Sequence, residues 1–214
     1  PNNCGSGECR DNEKVKGYDL AVLIRCGLKE GDVLFLAGSI PASMPDDMYE
    51  RIMKRLEGRG VMTVVDATKD LLVKVLKYHP FLVKPNNHEL GEIFGVELKT
   101  REDVVPYGKK LQEMGAENVL ISMAGEGAVL IAANGQVYKK PVPTGTLVNG
   151  VGAGDSMVAG FMAGWMEKRD YRHAFYMGIA AGSASAFSEN LATGKEVEAV
   201  YRQVAGQKQE GENI

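Results

Sequence analysis

The sequence has little that would staple or anchor a chain from outside its own core. It holds three cysteines, Cys4, Cys9 and Cys26, in neither a CxxC pair nor an even framework. An odd count of this kind reads as free thiols in a reducing, cytoplasmic compartment. The usual zinc-ligand spacing is not completed. No apolar run approaches the ~18 residues of a membrane-crossing helix, and Pro1 to Asn12 has no basic-then-apolar signal pattern. A basic surplus is also missing: 25 Lys and Arg stand against 28 Asp and Glu. That balance speaks against a general nucleic-acid binder. Internal repeats, linker-like breaks and low-complexity tracts are absent. What the 214 residues do contain is 44% hydrophobic side chains and 26 glycines, enough for one sizeable α/β core with many turns.

The hydrophobic pattern alternates. Apolar runs bounded by turn residues, at 32–37, 61–66, 81–84 and 118–122, suit buried strands. Between them, 46–59, 69–78, 87–94 and 100–114 read as helices, the last with Thr100 as N-cap and Asp103 three residues on. Lys14 to Leu28 also carries helical spacing. Then the rhythm changes: 127–132 and 136–140 flank Asn134-Gly135, a two-residue hairpin signal. After Asn149 the chain reads as three helices, 154–166, 171–187 and 195–205. Strand–helix alternation predicts a three-layer α/β/α domain, mainly parallel, with one antiparallel edge. The expected division is an N-terminal loop and helix over 1–31, one domain over 32–206 and a polar tail over 207–214.

The densest chemical signal is Asn149-Gly150-Val151-Gly152-Ala153-Gly154-Asp155-Ser156. Glycines let main-chain N–H groups approach an anion without Cβ interference. A helix beginning there adds free N–H donors and a partial positive charge. Asp155 in the first turn reads two ways. It is a favourable dipole partner, or it accepts the proton of a hydroxyl that attacks the bound phosphate. No Gly-Lys-Ser/Thr follows, so this is not a P-loop. Nor does glycine or alanine occupy the sixth place of a dinucleotide fingerprint.

The run 148–161 resembles the C-terminal signature of the ribokinase-like, or PfkB, sugar kinases, in its phosphosugar branch. The resemblance spans Asp32 to about Val204 and implies a ribokinase-like fold, ATP and Mg²⁺ as cofactors, and a phosphosugar acceptor. Asp155 would be the base, with the main chain of Gly152, Ala153 and Gly154 stabilising the moving phosphoryl group. Leu36 to Pro41 resembles the strand-end loop facing the substrate, which implies Gly38 and Ser39 there, together with Asn149. Lys84 to Leu90 resembles an Asn-x-x-Glu element, in which Asn86 and Glu89 organise the metal; read from the residues alone the pair is first an ordinary helix cap, with a metal role second. Ile121 to Ala128 resembles the nucleotide-facing loop, implying Ser122, Ala124, Gly125, Glu126 and Gly127 around ATP. Lys84, Ser156 and Asn190 join that nucleotide set. The small-residue run Ala180 to Ala186 would back the adenine or simply pack two helices closely.

Members of this family carry a further N-terminal part that grips the sugar and forms a β-sheet lid, and often pair through it as homodimers. Pro1 to Asn12 does not resemble that part, so a trimmed form of a longer protein is the expectation. The function so implied is phosphorylation of fructose 1-phosphate to fructose 1,6-bisphosphate, with tagatose 6-phosphate as the other acceptor. A non-catalytic nucleotide- or sugar-sensing domain on the same fold is a second reading, and a dinucleotide-dependent oxidoreductase a third.

Overall fold

The structure, a computed structural model, describes residues 27–67 and 69–206, together with two short strands at 14–15 and 18–19. Lys14–Val15 (β1) pairs antiparallel with Tyr18–Asp19 (β2). This corrects the helix expected from Lys14. Gly17, between the two pairs in the sequence, disfavours a helix interior. The remainder of that span up to Cys26, the loop over 1–12 and the tail over 207–214 lie outside the described residues.

Six strands form the main sheet in sequence order: Val33–Ala37 (β3), Met62–Asp66 (β4), Leu82–Val83 (β5), Asn118–Ser122 (β6), Ala128–Ile131 (β7) and Val137–Lys140 (β8). β3 to β6 run parallel, and β7 and β8 complete the sheet as an antiparallel hairpin. The hairpin's tip is longer than the two residues expected. Ala132 N–H bonds to Gln136 O, leaving Ala133, Asn134 and Gly135 between them. Gly135 takes the left-handed conformation (φ +83) that a three-residue connection needs.

The strands alternate sides. Val65, Val83, Val119, Ile121, Val129 and Ile131 point into one core, and Val64, Leu82, Leu120, Ala128 and Leu130 into the other. The parallel crossovers all cover the first face: Met48–Leu56 (α1), Lys69–Val75 (α2), Asn87–Phe94 (α3) and Arg101–Glu113 (α4). Ala153–Lys168 (α5), Tyr171–Ala186 (α6) and Gly194–Gly206 (α7) cover the second. This is the three-layer α/β/α arrangement predicted from the alternation, and its ribokinase-like form is what the family resemblance implies.

α5 and α6 approach closely because glycines line both. A Cβ on Gly160 would stand 2.6 Å from the Ala181 Cβ, and one on Gly182 would stand 3.0 Å from the Ala153 carbonyl. The small-residue run in α6 therefore serves helix packing along one side. That packing fixes the start of α5 against the end of α6.

Candidate active site

The parallel strands end together at one edge of the sheet, the edge where ligands bind in folds of this type. β3 runs into Gly38, whose N–H bonds to Asp66 O at 2.9 Å. Tyr49 holds that bend from α1, donating its hydroxyl to the carbonyls of Ala37 and Gly38 at 2.9 and 3.1 Å. β4 ends on Asp66. β5 delivers Lys84, which is 7% exposed, its Nζ 3.2 Å from Asp66 Oδ1. β6 ends on Ser122, bridged to Asn86.

α5 begins directly above this edge. Gly152 is its N-cap with φ +77, a conformation that favours glycine, and no side chain caps the helix. Ala153 N–H reaches Gly150 O at 3.3 Å and Ser156 N–H makes the first helical bond, to Gly152 O. The first-turn amides of Gly154 and Asp155 are thus the ones left to an anion. Of the Gly152–Gly154 set expected from the sequence, Ala153 N–H is the one engaged, with Gly150 O. A Cβ placed on Gly154 would stand 3.5 Å from Lys84 Nζ, so the ammonium lies immediately beneath the open amides.

Asp155 is exposed at this helix start. Its charge is felt at Asp66, where burial pushes the carboxyl pKa up, Lys84 pulls it back down, and Asp155 and Glu89 push it up again. Three carboxylates and one lysine therefore share the rim.

A cavity of about 570 Å³ opens beside the turn. Its lining includes the polar Asn86, Asn87, His88 and Ser122, Ala124, Gly125 and Gly127 along the loop before β7, and Ala153 and Gly154 at the helix start. Apolar side chains complete it: Val142, Pro143, Leu147, Ile179, Ala186 and Phe187. Gly127 (φ +91) lies so close to the main chain that a Cβ there would stand 2.0 Å from the Lys140 carbonyl. The loop Ala124–Glu126 is a 3₁₀ turn that the sequence pattern did not indicate.

Of the residues singled out from the sequence, Asn86, Ser122, Ala124, Gly125, Gly127, Ala153 and Gly154 line this cavity. Lys84, Asp155, Glu89, Gly38 and Ser39 belong to the neighbouring carboxyl-end rim. Asn86 and Glu89 also form a complete capping box for α3: Asn86 Oδ1 accepts from Glu89 N–H, and Asn86 N–H donates to Glu89 Oε2, both at 2.8 Å. The capping reading of this pair is therefore realised, with Glu89 Oε1 outside those two bonds. Ser156 turns towards α6, where its Oγ accepts from Ser185. Asn149 donates through Nδ2 to Glu189 O, and Asn190 and Glu126 are exposed beyond the cavity lining. Asp66 was missed. An acid ending a strand was visible in the sequence, but its pairing with Lys84 depends on the β4–β5 register.

Residues 12–198 match the pfkB family of carbohydrate kinases. The chain belongs to that family. As a pfkB member it is 50% identical over 177 residues to the 1-phosphofructokinase of Bacillus subtilis, a match covering 83% of this chain and 58% of the relative. It is 36% identical over 166 residues to the D-tagatose-1-phosphate kinase of Bacillus licheniformis, covering 75% and 53%. Among solved structures, phosphofructokinase-2 of Escherichia coli in complex with substrates and products superposes with a TM-score of 0.75 at 25% identity, covering 84% of this chain and 59% of the other. The ribokinase of Arabidopsis thaliana with ribose and ATP shares the fold, with a TM-score of 0.68 at 19% identity and coverage of 79% and 55%. This pfkB chain thus spans little more than half the length of the curated relatives it matches.

Proposed function

We propose that the chain carries the ATP-binding and phosphoryl-transfer part of a phosphosugar kinase that converts fructose 1-phosphate to fructose 1,6-bisphosphate. One observation carries the reading: Asp155 stands on the same uncapped helix turn whose free amides lie over the buried Lys84 ammonium and beside a nucleotide-sized cavity. Asp155 takes the proton of the attacking hydroxyl. The oxygen so activated bonds to the γ-phosphorus of ATP as the bond from that phosphorus to the β-phosphate oxygen breaks, and ADP leaves. The Gly154 and Asp155 amides and Lys84 stabilise the charge spread over the transferring group. The apolar side chains lining the cavity take the base, with the phosphates directed to the turn.

The donor set fits Mg²⁺ bound through water and phosphate oxygens. Asp66, Glu89 and Asp155 concentrate negative charge at the rim, yet no group of three His, Cys, Asp or Glu side chains among the described residues is placed to hold a metal directly. Mg²⁺ retains several waters and uses few carboxylates. When bound, it would neutralise phosphate charge. The relative named for D-tagatose 1-phosphate supports a second ketohexose phosphate as acceptor. No described helix is long and apolar enough to cross a membrane. We place the enzyme in the reducing cytoplasm on its cysteine pattern.

The test is Asp155→Asn, assayed for ADP release with MgATP and fructose 1-phosphate and for binding of a non-hydrolysable ATP analogue. Turnover should fall at least about a hundredfold with analogue affinity nearly unchanged. Retention of most turnover would remove Asp155 as the base. An unmutated chain that binds the analogue but releases no ADP with either ketohexose phosphate would favour a nucleotide-sensing domain instead.

A further inference from the structure

The last turn of α6 carries a buried hydroxyl that the mechanism above leaves unused. Ser185 is 3% exposed. Its Oγ donates to Ser156 Oγ at 2.9 Å and accepts from the Ala192 N–H at 3.1 Å. A serine hydroxyl has one proton and two lone pairs, so these two bonds fix its rotor. Its two partners are informative. Ser156 follows Asp155 in the first turn of α5. Ala192 belongs to the segment that joins α6 to α7.

That segment is attached to the phosphate-accepting turn at its other end as well. Asn149 Nδ2 donates to Glu189 O at 3.2 Å, and beside it the Val148 and Asn149 amides donate to Ala186 O, at the end of α6, at 2.8 and 3.1 Å. In between, Leu191 packs on the turn: its Cδ2 lies 2.8 Å from where a Cβ on Gly152 would stand. Leu191 is otherwise 66% exposed. Residues 189–192 therefore form a strap that meets the turn at its entrance and middle and reaches its helical end through Ser185.

We propose that Ser185 is a positioning residue that couples this strap to the phosphate-accepting turn, so that the two hold one shape and Asp155 keeps its place over the open amides. The consequence for catalysis rests on the kinase reading above, whereas the coupling itself stands on the hydrogen bonds. Without the Ser185 hydroxyl, Ser156 Oγ loses a donor and Ala192 N–H loses its acceptor. The turn then keeps only its entrance and middle contacts with the strap, and its helical end is released.

Amide hydrogen exchange on the whole, ligand-free chain tests the coupling without any activity. Three reporters are available: Ala192 N–H on the strap, and Val151 N–H (bonded to Asn149 Oδ1) and Ser156 N–H (bonded to Gly152 O) on the turn. In Ser185→Ala, all three should exchange about tenfold faster while the amides in the middle of α6 keep their rates. Acceleration confined to Ala192 would reduce Ser185 to a local cap and overturn the proposal. Ser156→Ala, which removes the acceptor at a less buried place, should raise the same three rates, and the double variant should add little to either single one. Additive effects would also overturn it. For an active protein, Ser185→Ala should lower kcat about tenfold with KM for ATP nearly unchanged, since the turn acts on the transferring group more than on the bound nucleotide. A protein without turnover would sink the kinase reading and leave the exchange result to decide this one.

Discussion

Lys84 and Asp66 are adjacent only because β4 and β5 run parallel with Val65 opposite Val83. Asp66 ends β4 and Lys84 directly follows β5, and both are largely withdrawn from water. Leaving one member of such a pair alone is more costly than replacing both. Asp66→Ala should therefore destabilise the protein by about 3 kcal/mol and lower the melting temperature by roughly 10 °C. Asp66→Ala with Lys84→Met should recover most of that loss, as measured by thermal unfolding. The glycines of the site divide in the same physical way. Gly154 has ordinary space and no positive φ, so Gly154→Ala should fold normally. Gly127→Ala meets the Lys140 carbonyl at 2.0 Å from a strained backbone and should not yield a stable protein. Solubility and circular dichroism of the two variants decide this.

At the scale of elements, the helix starts carry legible chemistry. Thr100 and Asp103 form the full box for α4: Asp103 N–H donates to Thr100 Oγ1, and Asp103 Oδ2 accepts from the Thr100 and Lys99 amides. The backbone bond from Thr100 is the main reason that the Asp103 carboxyl is held below its ordinary pKa of 3.8. A depressed acid stabilises the fold above its unfolded pKa, and that contribution is lost as pH falls through the folded value. The Thr100 amide resonance should therefore titrate below pH 3.8, and Thr100→Ala should cost about 1 kcal/mol at neutral pH. Asp66 has the opposite sign. Its raised pKa makes ionisation unfavourable, so its own contribution declines as pH rises above 3.8. α3 and α4 were readable from the sequence because capping is local, with all partners within four residues. The hairpin was readable as a hairpin for the same reason, though its three-residue tip depended on the pairing of Ala132 with Gln136. The start of the span from Lys14 was misread because apolar spacing outweighed one glycine.

For the molecule as a whole, the sheet presents β3 as an edge among the described strands, with Phe35 46% exposed on it. An unpaired, apolar edge invites association between copies. Phe35→Lys should raise the concentration at which the purified chain stays monodisperse by light scattering, with its unfolding temperature little changed. The sequence by itself determined the order of the elements, the switch from parallel strands to a hairpin, and the glycine turn with its aspartate. Each of these rests on periodicity or on contacts between near neighbours, which a linear pattern records. Only the tertiary structure decided that Asp66 lies against Lys84, that the lysine sits under Gly154, and that Ser156 faces Ser185 rather than the cavity. Those meetings join residues 18 to 70 positions apart. They are set by strand register and by how closely two glycine-lined helices pack, and neither quantity is written in any local stretch of the chain.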